Sequence, residues 1–360
     1  MQSDASKRIT LQSIADALGI SRTTVSNAYN RPEHLSPELL DRVFRSAEEL
    51  GYPGPNPAAQ KLRTGKNSAI GLVTTDSLPY AFFDEAAASF LQGVALACER
   101  AATSLLLMPL VEGDARSLNQ INLAAVDAVI CYSISDKHPA LEAVLQRRKP
   151  VVIVDGPRDV LTADWVGVDQ TAASAETARY IASLGHTEVG VLCHRLADER
   201  FDGHVDDARL ARATYPVQRE RVRGFRDEFI RVTEGRGIVH VTEQVVSDIE
   251  SGSAGGEAIL RDFPQVTAIV CTCDALAKGV LSVAARRGLR VPEDLSVTGF
   301  DDIPSAEKAG LTTVWQPMVD KGKVAAEMLL GHSGNGDKRE HCLPTRLIIR
   351  NTTAHVLKKN

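Results

Sequence analysis

Residues 68–360 alternate between short apolar segments rich in β-branched residues and longer amphipathic segments. Near-continuous apolar strands that alternate with helices are typical of parallel sheets buried between helices. The segments that predict strands are 70–74, 105–109, 128–131, 151–154, 189–193, 268–271 and 296–299, and those that predict helices are 86–101, 172–184, 219–233, 254–262 and 276–287. Because this stretch is too long for one ordinary sheet, we expect an α/β structure with two doubly wound lobes.

The N-terminal region predicts three short helices. Thr10 is a suitable N-cap for the first, which has an apolar stripe at helical spacing. Gly19 suits the left-handed end of that helix, and Ser21 restarts the chain as the N-cap of a second helix over 22–30. A third helix starts at Ser36. A tight turn between two small amphipathic helices is the helix-turn-helix plan.

In this plan the second helix enters the major groove of DNA and reads base edges near its N-terminus. Arg22, Thr23 and Asn27 have the chemistry that such reading needs. Arginine donates twice to guanine, asparagine pairs with adenine, and threonine offers a hydroxyl or a methyl group. The alternative is an ordinary helical hairpin with a polar outer face, and the pattern alone does not decide between the two.

Residues 55–63 favour the DNA-binding interpretation. Pro55 and Pro57 break the chain, and residues 58–63 are long enough for one or two helical turns, which are marginal without a partner. Leu62 is an apolar residue among polar and basic neighbours, which suits insertion into a minor groove. The alternative is a plain interdomain linker with Leu62 packed against the next domain.

Seven segments, in order along the chain, resemble the LacI-type transcriptional regulators. They are IADALGISRTTVSNAYN at 14–30, NPAAQKLR at 56–63, SAIGLV at 68–73, SLGHTEVGVL at 183–192, RVRGF at 221–225, VPEDLSVTGFDD at 291–302 and LTTVWQP at 311–317. The resemblance covers the chain after residue 8. It implies a sequence-specific regulator, more often a repressor, that binds a near-palindromic operator in double-stranded DNA as a homodimer. A small molecule bound in the core would change its affinity for the operator.

The resemblance also implies an N-terminal helix-turn-helix domain with a hinge helix, followed by a two-lobed, doubly wound, periplasmic-binding-protein-like core. The expected domains are 8–54 for DNA binding, 55–67 for the hinge helix and linker, and 68–360 for effector binding and dimerisation. Chain crossovers are expected near 166–169 and 315–317, with a third near the C-terminus. The N-lobe would hold about 68–166 plus 317–330, and the C-lobe about 167–316 plus 340–357.

By position, Arg22, Thr23 and Asn27 resemble the base-reading residues of the family, and Leu62 resembles its intercalating leucine. The residues that resemble contacts to the DNA backbone or phosphates are Ser21, Thr24, Ser26, Asn30 and Tyr52. Ala59, Gln60 and Arg63 in the hinge complete the predicted DNA-binding set.

In doubly wound sheets the ligand lies outside the carboxyl ends of the strands. Aromatic rings, carboxylates and an arginine at such positions suit a polar effector with several hydroxyls, such as a sugar. The predicted effector-binding residues are Asp76, Phe82, Phe83, Asp169, Arg221, Asp274 and Asp301. The resemblance supports Arg221 and Asp301, whereas Cys273 stands where an asparagine is commoner and weakens the case for Asp274. The alternative for each carboxylate is that it caps the following helix.

The connection between Cys193 and Arg221 is longer than the family usually has. Long loops inside compact domains are usually functional or disordered. This one leaves the carboxyl end of a predicted strand, so it is expected either to cover the cleft as a lid or to form a solvated excursion. A further alternative is a metal site formed by His194, Asp198, His204 and Asp206.

Composition narrows the function classes. The formal net charge is −5, but residues 1–66 carry nine Lys and Arg against seven Asp and Glu, a local +2 of the sign that DNA requires. The N-terminal segment has no hydrophobic signal region, so a cytoplasmic location is expected. We find no phosphate-binding loop, nucleophile elbow or convincing metal-ligand spacing, so neither an enzyme nor a cofactor is expected. A regulator gated by a partner protein and, less favoured, a solute-binding protein remain as alternatives.

Overall fold

The computed structural model describes residues 9–54, 69–75, 77–110, 115–332 and 337–356. The chain divides into two compact units, residues 1–67 and residues 68–360. Within the described ranges, none of the helices combines the length and the apolar character that a membrane span requires. Residues 55–68 and Asp76 lie outside the described residues, so the predictions for Ala59, Gln60, Leu62, Arg63 and Asp76 stay predictions.

The first unit contains three α-helices, α1 (Leu11–Leu18), α2 (Arg22–Asn30) and α3 (Pro37–Glu49), and a short 3-10 turn at Pro32–His34. Each α-helix begins after a hydroxyl residue whose side chain accepts a backbone N–H of the first turn. Ile14, Val25 and Val43, one from each helix, are fully buried against each other. This small core fixes the angle between α1 and α2.

The second unit contains two sheets. The first has six parallel strands in the order β12–β5–β4–β3–β1–β2. Its strands are β1 (Ala69–Thr74), β2 (Ser104–Pro109), β3 (Ala128–Tyr132), β4 (Val151–Val154), β5 (Asp164–Val168) and β12 (Glu340–Leu343). We call this sheet and the helices on it the first lobe.

The second sheet has seven strands in the order β13–β11–β10–β9–β6–β8–β7, with antiparallel strands at both edges. Its strands are β6 (Glu188–His194), β7 (Gly203–His204), β8 (Ile238–Gln244), β9 (Ala268–Cys271), β10 (Ser296–Asp301), β11 (Thr312–Trp315) and β13 (Arg346–Ile348). This sheet and its helices form the second lobe. The predicted α/β fold with two doubly wound lobes is confirmed.

Helices cover both faces of each sheet. They are α4 (Leu78–Phe83), α5 (Glu85–Arg100), α6 (Ala115–Leu123), α7 (Pro139–Gln146), α8 (Gln170–Ser183), α9 (Asp207–Ala211), α10 (Pro216–Val232), α11 (Ile249–Asp262), α12 (Asp274–Arg286), α13 (Pro304–Lys308) and α14 (Met318–Leu330). In the first lobe α5 and α14 cover one face, and α6 and α7 cover the other. In the second lobe α11 and α12 cover one face, and α8 and α10 cover the other.

One predicted lobe boundary is wrong. Residues 340–357 were expected in the C-lobe, but Glu340–Leu343 forms β12, which pairs in parallel with β5 of the first lobe. The chain passes to the second lobe only after β12, since β13 pairs with β11. The reason is that β12 is a largely exposed edge strand, so it lacks the apolar signal that marks the other strands of its sheet.

The connection after β6 is folded rather than a loop throughout. It contains β7, which pairs antiparallel with β8, and the short helix α9. The buried Arg209 of α9 pairs with the buried Glu243 at the end of β8, with Nη2 2.9 Å from Oε1. Glu243 also accepts the backbone N–H of Leu196 at 2.8 Å. These contacts fix the connection against the second sheet.

Candidate functional site

The helix-turn-helix geometry follows from two local features of the chain. Gly19 has a φ of +67°, the left-handed conformation that reverses the chain after α1 at least cost for glycine. Ser21 then caps α2, because its hydroxyl accepts the backbone N–H of Thr24 at 3.0 Å. The first turn of α2 is thereby fixed, with Arg22 and Thr23 both exposed on it.

The outer face of α2 carries the predicted DNA-reading residues. Asn27 is half-buried one turn after Thr23, and Ser26 is also half-buried. The hydroxyl of Thr24 lies 2.8 Å from that of Ser21, so both hydroxyls already take part in the cap. The side chain of Asn30 lies outside the described part of the structure. Side chains able to read bases therefore stand on a helix whose start is rigidly capped.

Tyr52 packs on the same unit after α3. Its ring lies 5.9 Å from that of Tyr29 on α2, which in turn lies 5.3 Å from Phe44 on α3. Burial raises the pKa of Tyr52, and the nearby Arg22 cation opposes that shift. Tyr52 thus keeps its proton at neutral pH and lies close enough to Arg22 to feel its charge.

A closed ring of buried polar side chains connects the two lobes of the second unit. We call it the polar ring, and it consists of Lys321, Asp155, Gln170, Arg221, Asp301 and Gln316. Two members belong to the first lobe, since Asp155 follows β4 and Lys321 lies on α14. Two belong to the second lobe, Arg221 on α10 and Asp301 at the end of β10. The two glutamines join these pairs.

In the first-lobe half of the ring, Nζ of Lys321 lies 2.7 and 2.9 Å from the two carboxylate oxygens of Asp155. The same ammonium donates to Oε1 of Gln316 at 2.5 Å. Gln170 donates its amide to Asp155 at 3.2 Å. Lys321 is fully buried, and burial lowers its pKa while the Asp155 carboxylate opposes the shift.

In the second-lobe half, Arg221 donates through Nε to Gln170 at 2.8 Å and through Nη1 to the backbone oxygen of Thr272 at 2.6 Å. Its Nη1 also lies 3.4 Å from Oδ1 of Asp301, and its guanidinium stacks on the Phe300 ring at 3.6 Å. Gln316 closes the ring by donating to Asp301 at 2.6 Å. Burial raises the pKa of Asp301 to about 6, and the Arg221 cation limits the rise.

Gly224 brings the two helices of this half together. A Cβ at Gly224 would lie 2.6 Å from the backbone oxygen of Thr171, so any larger residue would push α10 away from α8. Gln170 begins α8 and Arg221 lies one turn before Gly224 on α10. The close crossing at Gly224 therefore sets the distance between the Gln170 amide and the Arg221 guanidinium.

The remaining predicted effector residues lie outside the polar ring. Asp274 is fully buried and accepts from the hydroxyl of Thr313 at 2.5 Å and from the backbone of Ile303 at 2.9 Å. Asp169 is exposed and caps α8 by accepting the backbone N–H of Ala172 at 2.8 Å. Asp169 thus has the partner that the helix-capping alternative describes, whereas Asp274 accepts from groups outside the helix that it begins. Phe82 and Phe83 on α4 are 63% and 86% exposed.

Two cavities lie between the lobes. One, of about 290 Å³, is bordered by the connection after β6, and we call it the insertion cavity. The other, of about 420 Å³, is bordered by Phe83, Asp301 and the start of α12, and we call it the helix cavity. Tyr80 of the first lobe and Ser247 of the second line both cavities. The hydroxyl of Tyr80 donates to the backbone oxygen of Ser247 at 2.8 Å, so this contact separates the two.

Further polar contacts join the lobes around these cavities. Arg195 donates to the hydroxyl of Thr75 at 3.1 Å, and Arg219 pairs with Asp136 at 2.8 Å. Glu85 accepts the backbone N–H of Ser305 at 2.9 Å. The described side chains therefore join the two lobes at several points besides the ring.

The metal alternative for the connection after β6 finds no support among the described residues, in which no cluster of three or more metal-ligating side chains occurs. His204 lies 3.0 Å from the Thr242 hydroxyl and 2.8 Å from Asp262, so both its ring nitrogens have other partners.

The predicted effector-binding residues do not include four members of the ring, Asp155, Gln170, Gln316 and Lys321. A signal for Lys321 exists in hindsight. It shares the buried face of α14 with Met318, Ala325 and Leu329, where a charged residue is out of place unless it is paired. Nothing comparable marks the glutamines, which are ordinary polar residues beside the expected crossovers.

A helix-turn-helix unit followed by a two-lobed core with a polar site between the lobes defines a class of ligand-responsive transcriptional regulator. A family model described as a periplasmic binding protein-like domain matches residues 178–353. Over 97% of both chains, the protein is 42% identical to a helix-turn-helix transcriptional regulator of Mycobacterium tuberculosis. The solved structure of a LacI-family regulator from Corynebacterium glutamicum is 38% identical, with a TM-score of 0.74 over 97% of this chain and 100% of that one.

The chain therefore belongs to the LacI family of transcriptional regulators. It is a DNA-binding regulator and not an enzyme, and the resemblance found in its sequence segments is confirmed. More distant structures share its fold. The lac repressor dimer bound to operator and an anti-inducer is 22% identical, with a TM-score of 0.77 over 97% of this chain and 100% of that one. The regulator CelR bound to cellobiose is 22% identical, with a TM-score of 0.68 over 96% and 100%.

Proposed function

We propose that this regulator is a repressor whose affinity for its operator is controlled by a small, polar, sugar-like effector bound between the lobes of residues 68–360. The polar ring carries the proposal. It places Arg221 and Asp301 of one lobe against Lys321 and Asp155 of the other, so any change in the angle between the lobes must break hydrogen bonds of buried groups. Such an element has discrete arrangements, which a ligand is able to bias.

The DNA-binding half of the proposal rests on α2. Arg22, Thr23 and Asn27 would read base edges, while Ser21, Thr24, Ser26, Asn30 and Tyr52 would position the helix on the DNA backbone. Two copies of the chain on a near-palindromic operator would present two such helices to successive major grooves. Residues 55–63 would pair across the dimer and place Leu62 in the minor groove between them.

The effector half rests on the character of the cleft. Its walls mix hydroxyls, a histidine, carboxylates and arginines, which suits a ligand that carries many hydroxyls. Arg221 and Asp301 are the proposed sensors, because Asp301 borders the helix cavity and Arg221 holds it through the ring. A related regulator is known with cellobiose bound. A sugar-like effector is the natural extension of that relationship to this chain.

The polar ring would couple effector binding to the angle between the two lobes. An effector that offers its own hydroxyls to Arg221 or Asp301 releases them from their present partners and changes the stability of the closed arrangement. The altered angle between lobes would then change the spacing of the two hinge segments in the dimer. Couplings of this kind are typically about 1–3 kcal/mol.

Selection of duplexes from a random DNA library by the full-length chain tests the proposal. We expect near-palindromic sequences to be enriched, and at least one sugar to change their retention when it is added. Enrichment without any symmetry, or retention that no sugar alters, would count against the dimeric and the effector-gated parts respectively.

A further inference from the structure

The loop after β3 in the first lobe contacts the connection after β6 in the second lobe. The backbone N–H of Asp136 donates to the backbone oxygen of Thr214 at 2.9 Å. The hydroxyl of Ser135, a residue that is 0% exposed, lies 3.4 Å from the Asp198 carboxylate. The two lobes are therefore joined here by a main-chain hydrogen bond as well as by side chains.

Asp136 also contacts the second lobe through its side chain. Its Oδ2 lies 2.8 Å from Nη1 of Arg219 on α10, and the same Nη1 donates to the backbone oxygen of Ala213 at 2.9 Å. The arginine and aspartate side chains are 23% and 28% exposed, so water screens their attraction only in part. Arg219 thus holds the Asp136 carboxylate beside the turn that accepts the Asp136 amide.

The acceptor of this amide is fixed within the second lobe. The backbone N–H groups of Thr214 and Tyr215 donate to the backbone oxygen of Leu196 at 2.8 and 3.1 Å. The N–H of Leu196 in turn donates to the buried Glu243 at the end of β8. Because the connection is tied to the second sheet in this way, movement of the lobes apart at this point must break the contacts of Asp136.

The same connection makes further contacts with the first lobe. Arg195 donates through Nη2 to the hydroxyl of Thr75 at 3.1 Å, and its guanidinium stacks on the buried Tyr215 ring at 4.6 Å. Pro216 packs closely on Gly156 of the first lobe, where an added Cβ would lie 2.8 Å from the proline ring. These residues do not belong to the polar ring, so the lobes are joined by a second set of contacts.

We call the contacts of Thr75 and Asp136 with Arg195, Thr214 and Arg219 the clasp. We propose that the clasp holds the two lobes together without help from an effector, so that separation of the lobes is the step that costs free energy. The connection after β6 is then a regulatory element that sets how often the lobes open. This role does not depend on which ligand the protein binds, and only its consequence for operator binding rests on the proposed gating.

Hydrogen exchange of two amides in the full-length protein, measured without added ligand, tests this role. Exchange of an amide requires that its hydrogen bond opens. The Asp136 amide donates across the lobe boundary to Thr214, and the Ser305 amide donates across it at another point to Glu85. Separation of the lobes exposes both amides, whereas local loosening of the loop after β3 exposes only the first.

Two substitutions on α10 distinguish the clasp from general effects on that helix. Arg219→Met removes the partner of the Asp136 carboxylate. Arg223→Met is the matched control, since Arg223 is also half-buried on α10 but donates to the backbone oxygen of Leu210 within the second lobe at 3.1 Å. Asp136→Ala breaks the same ion pair from the first lobe, and it serves if R219M does not fold.

We expect both amides to exchange roughly three- to tenfold faster in R219M and D136A than in the unchanged protein, as suits the loss of one partly exposed ion pair. R223M should leave both rates unchanged. Acceleration of the Asp136 amide alone would show that the pair orders only its own loop, and unchanged rates would show that it carries no weight. Either result, or equal acceleration in R223M, would overturn the proposal.

Operator binding separates the clasp from the proposed gating. The dissociation constant for the operator obtained by selection is measured for R219M and R223M without added ligand. A change in R219M alone supports a link between the clasp and DNA binding. Faster exchange of both amides with an unaltered dissociation constant would instead refute the proposed gating, while the role of the clasp stands.

Discussion

Lys321 on α14 and Asp155 after β4 form a buried ion pair, with Nζ of Lys321 2.7 Å from Oδ1 of Asp155. Lys321 is 0% exposed, a position where a lone ammonium would be strongly destabilising. The pair is tolerated because two glutamines extend it to Arg221 and Asp301, giving a ring with two cations and two carboxylates. The charged groups of each lobe are thereby linked by hydrogen bonds, through the glutamines, to the charged groups of the other lobe.

Removal of Lys321 should destabilise the protein strongly. Lys321→Met leaves the Asp155 carboxylate buried without its cation, a situation that costs about 3–5 kcal/mol. Lys323→Met is the matched control, since Lys323 lies on the same helix, is 37% exposed and pairs loosely with Glu327 at 3.9 Å. Urea unfolding should show a large shift for K321M, little for K323M, and substantial recovery in the K321M/D155N double variant. A small effect of K321M would refute the importance of the pair.

Asp301 should give the protein a characteristic pH dependence. Its pKa is raised to about 6, so between the ordinary aspartate pKa near 4 and pH 6 the folded protein holds a proton that the unfolded chain has released. This contribution to stability is complete below about pH 4 and is lost as the pH rises through 6. Asp301→Asn cannot titrate, so wild-type stability relative to D301N should fall from pH 4 to 6.5. A difference that is constant with pH would contradict the burial of this carboxylate.

The connection after β6 should become more mobile when its buried ion pair is broken. Arg209→Met leaves Glu243 buried and unpaired, so hydrogen exchange of the amides in 196–206 should accelerate. Arg212→Met, on an exposed arginine just after α9, is the control and should leave exchange unchanged. Glu243→Gln in the R209M background should restore protection, because the glutamine still accepts from Leu196. Equal exchange in R209M and R212M would show that the ion pair does not hold the connection in place.

Two substitutions at the start of α2 should distinguish the reading of DNA bases from the stability of the helix. Arg22→Ala removes an exposed side chain and should reduce discrimination between a selected and a scrambled duplex by about 1–3 kcal/mol, with an unchanged melting curve for the helical unit. Ser21→Ala removes a cap and should cost about 1 kcal/mol of stability. Fluorescence anisotropy and circular dichroism measure the two effects. If R22A keeps full discrimination, Arg22 is not a base-reading residue.

The sequence predicted the elements that carry a strong apolar signal. Every predicted strand occurs, with its ends shifted by two residues at most, because a continuous apolar run such as VVIV at β4 is stable only in a buried sheet. The strand-end rule located Asp301 and the family resemblance indicated Arg221, and the structure brings the two side chains together. Strands without a continuous apolar run were not predicted. Among them are β8, which begins in a half-exposed stretch, β11, which starts with two threonines, and the edge strand β12.

The ring itself was beyond sequence reasoning, because its members come from six separate elements and their polarity is explained only by one another. Asp274 and Asp169 show the converse problem. Both follow strands as a ligand-binding carboxylate would, yet their hydrogen bonds go to Thr313, Ile303 and the start of α8. A position just after a strand identifies a carboxylate as a candidate effector contact. Only its hydrogen bonds in the folded protein show whether it instead holds neighbouring structural groups.

The central claim is that a ligand between the lobes controls DNA binding, and the reciprocal coupling tests it most directly. The dissociation constant for the selected operator is measured with and without a sugar that the protein binds, and that of the sugar with and without the operator. The account predicts that both change by the same factor, roughly 5–150-fold. Binding of the sugar that leaves the dissociation constant for the operator unchanged would contradict it.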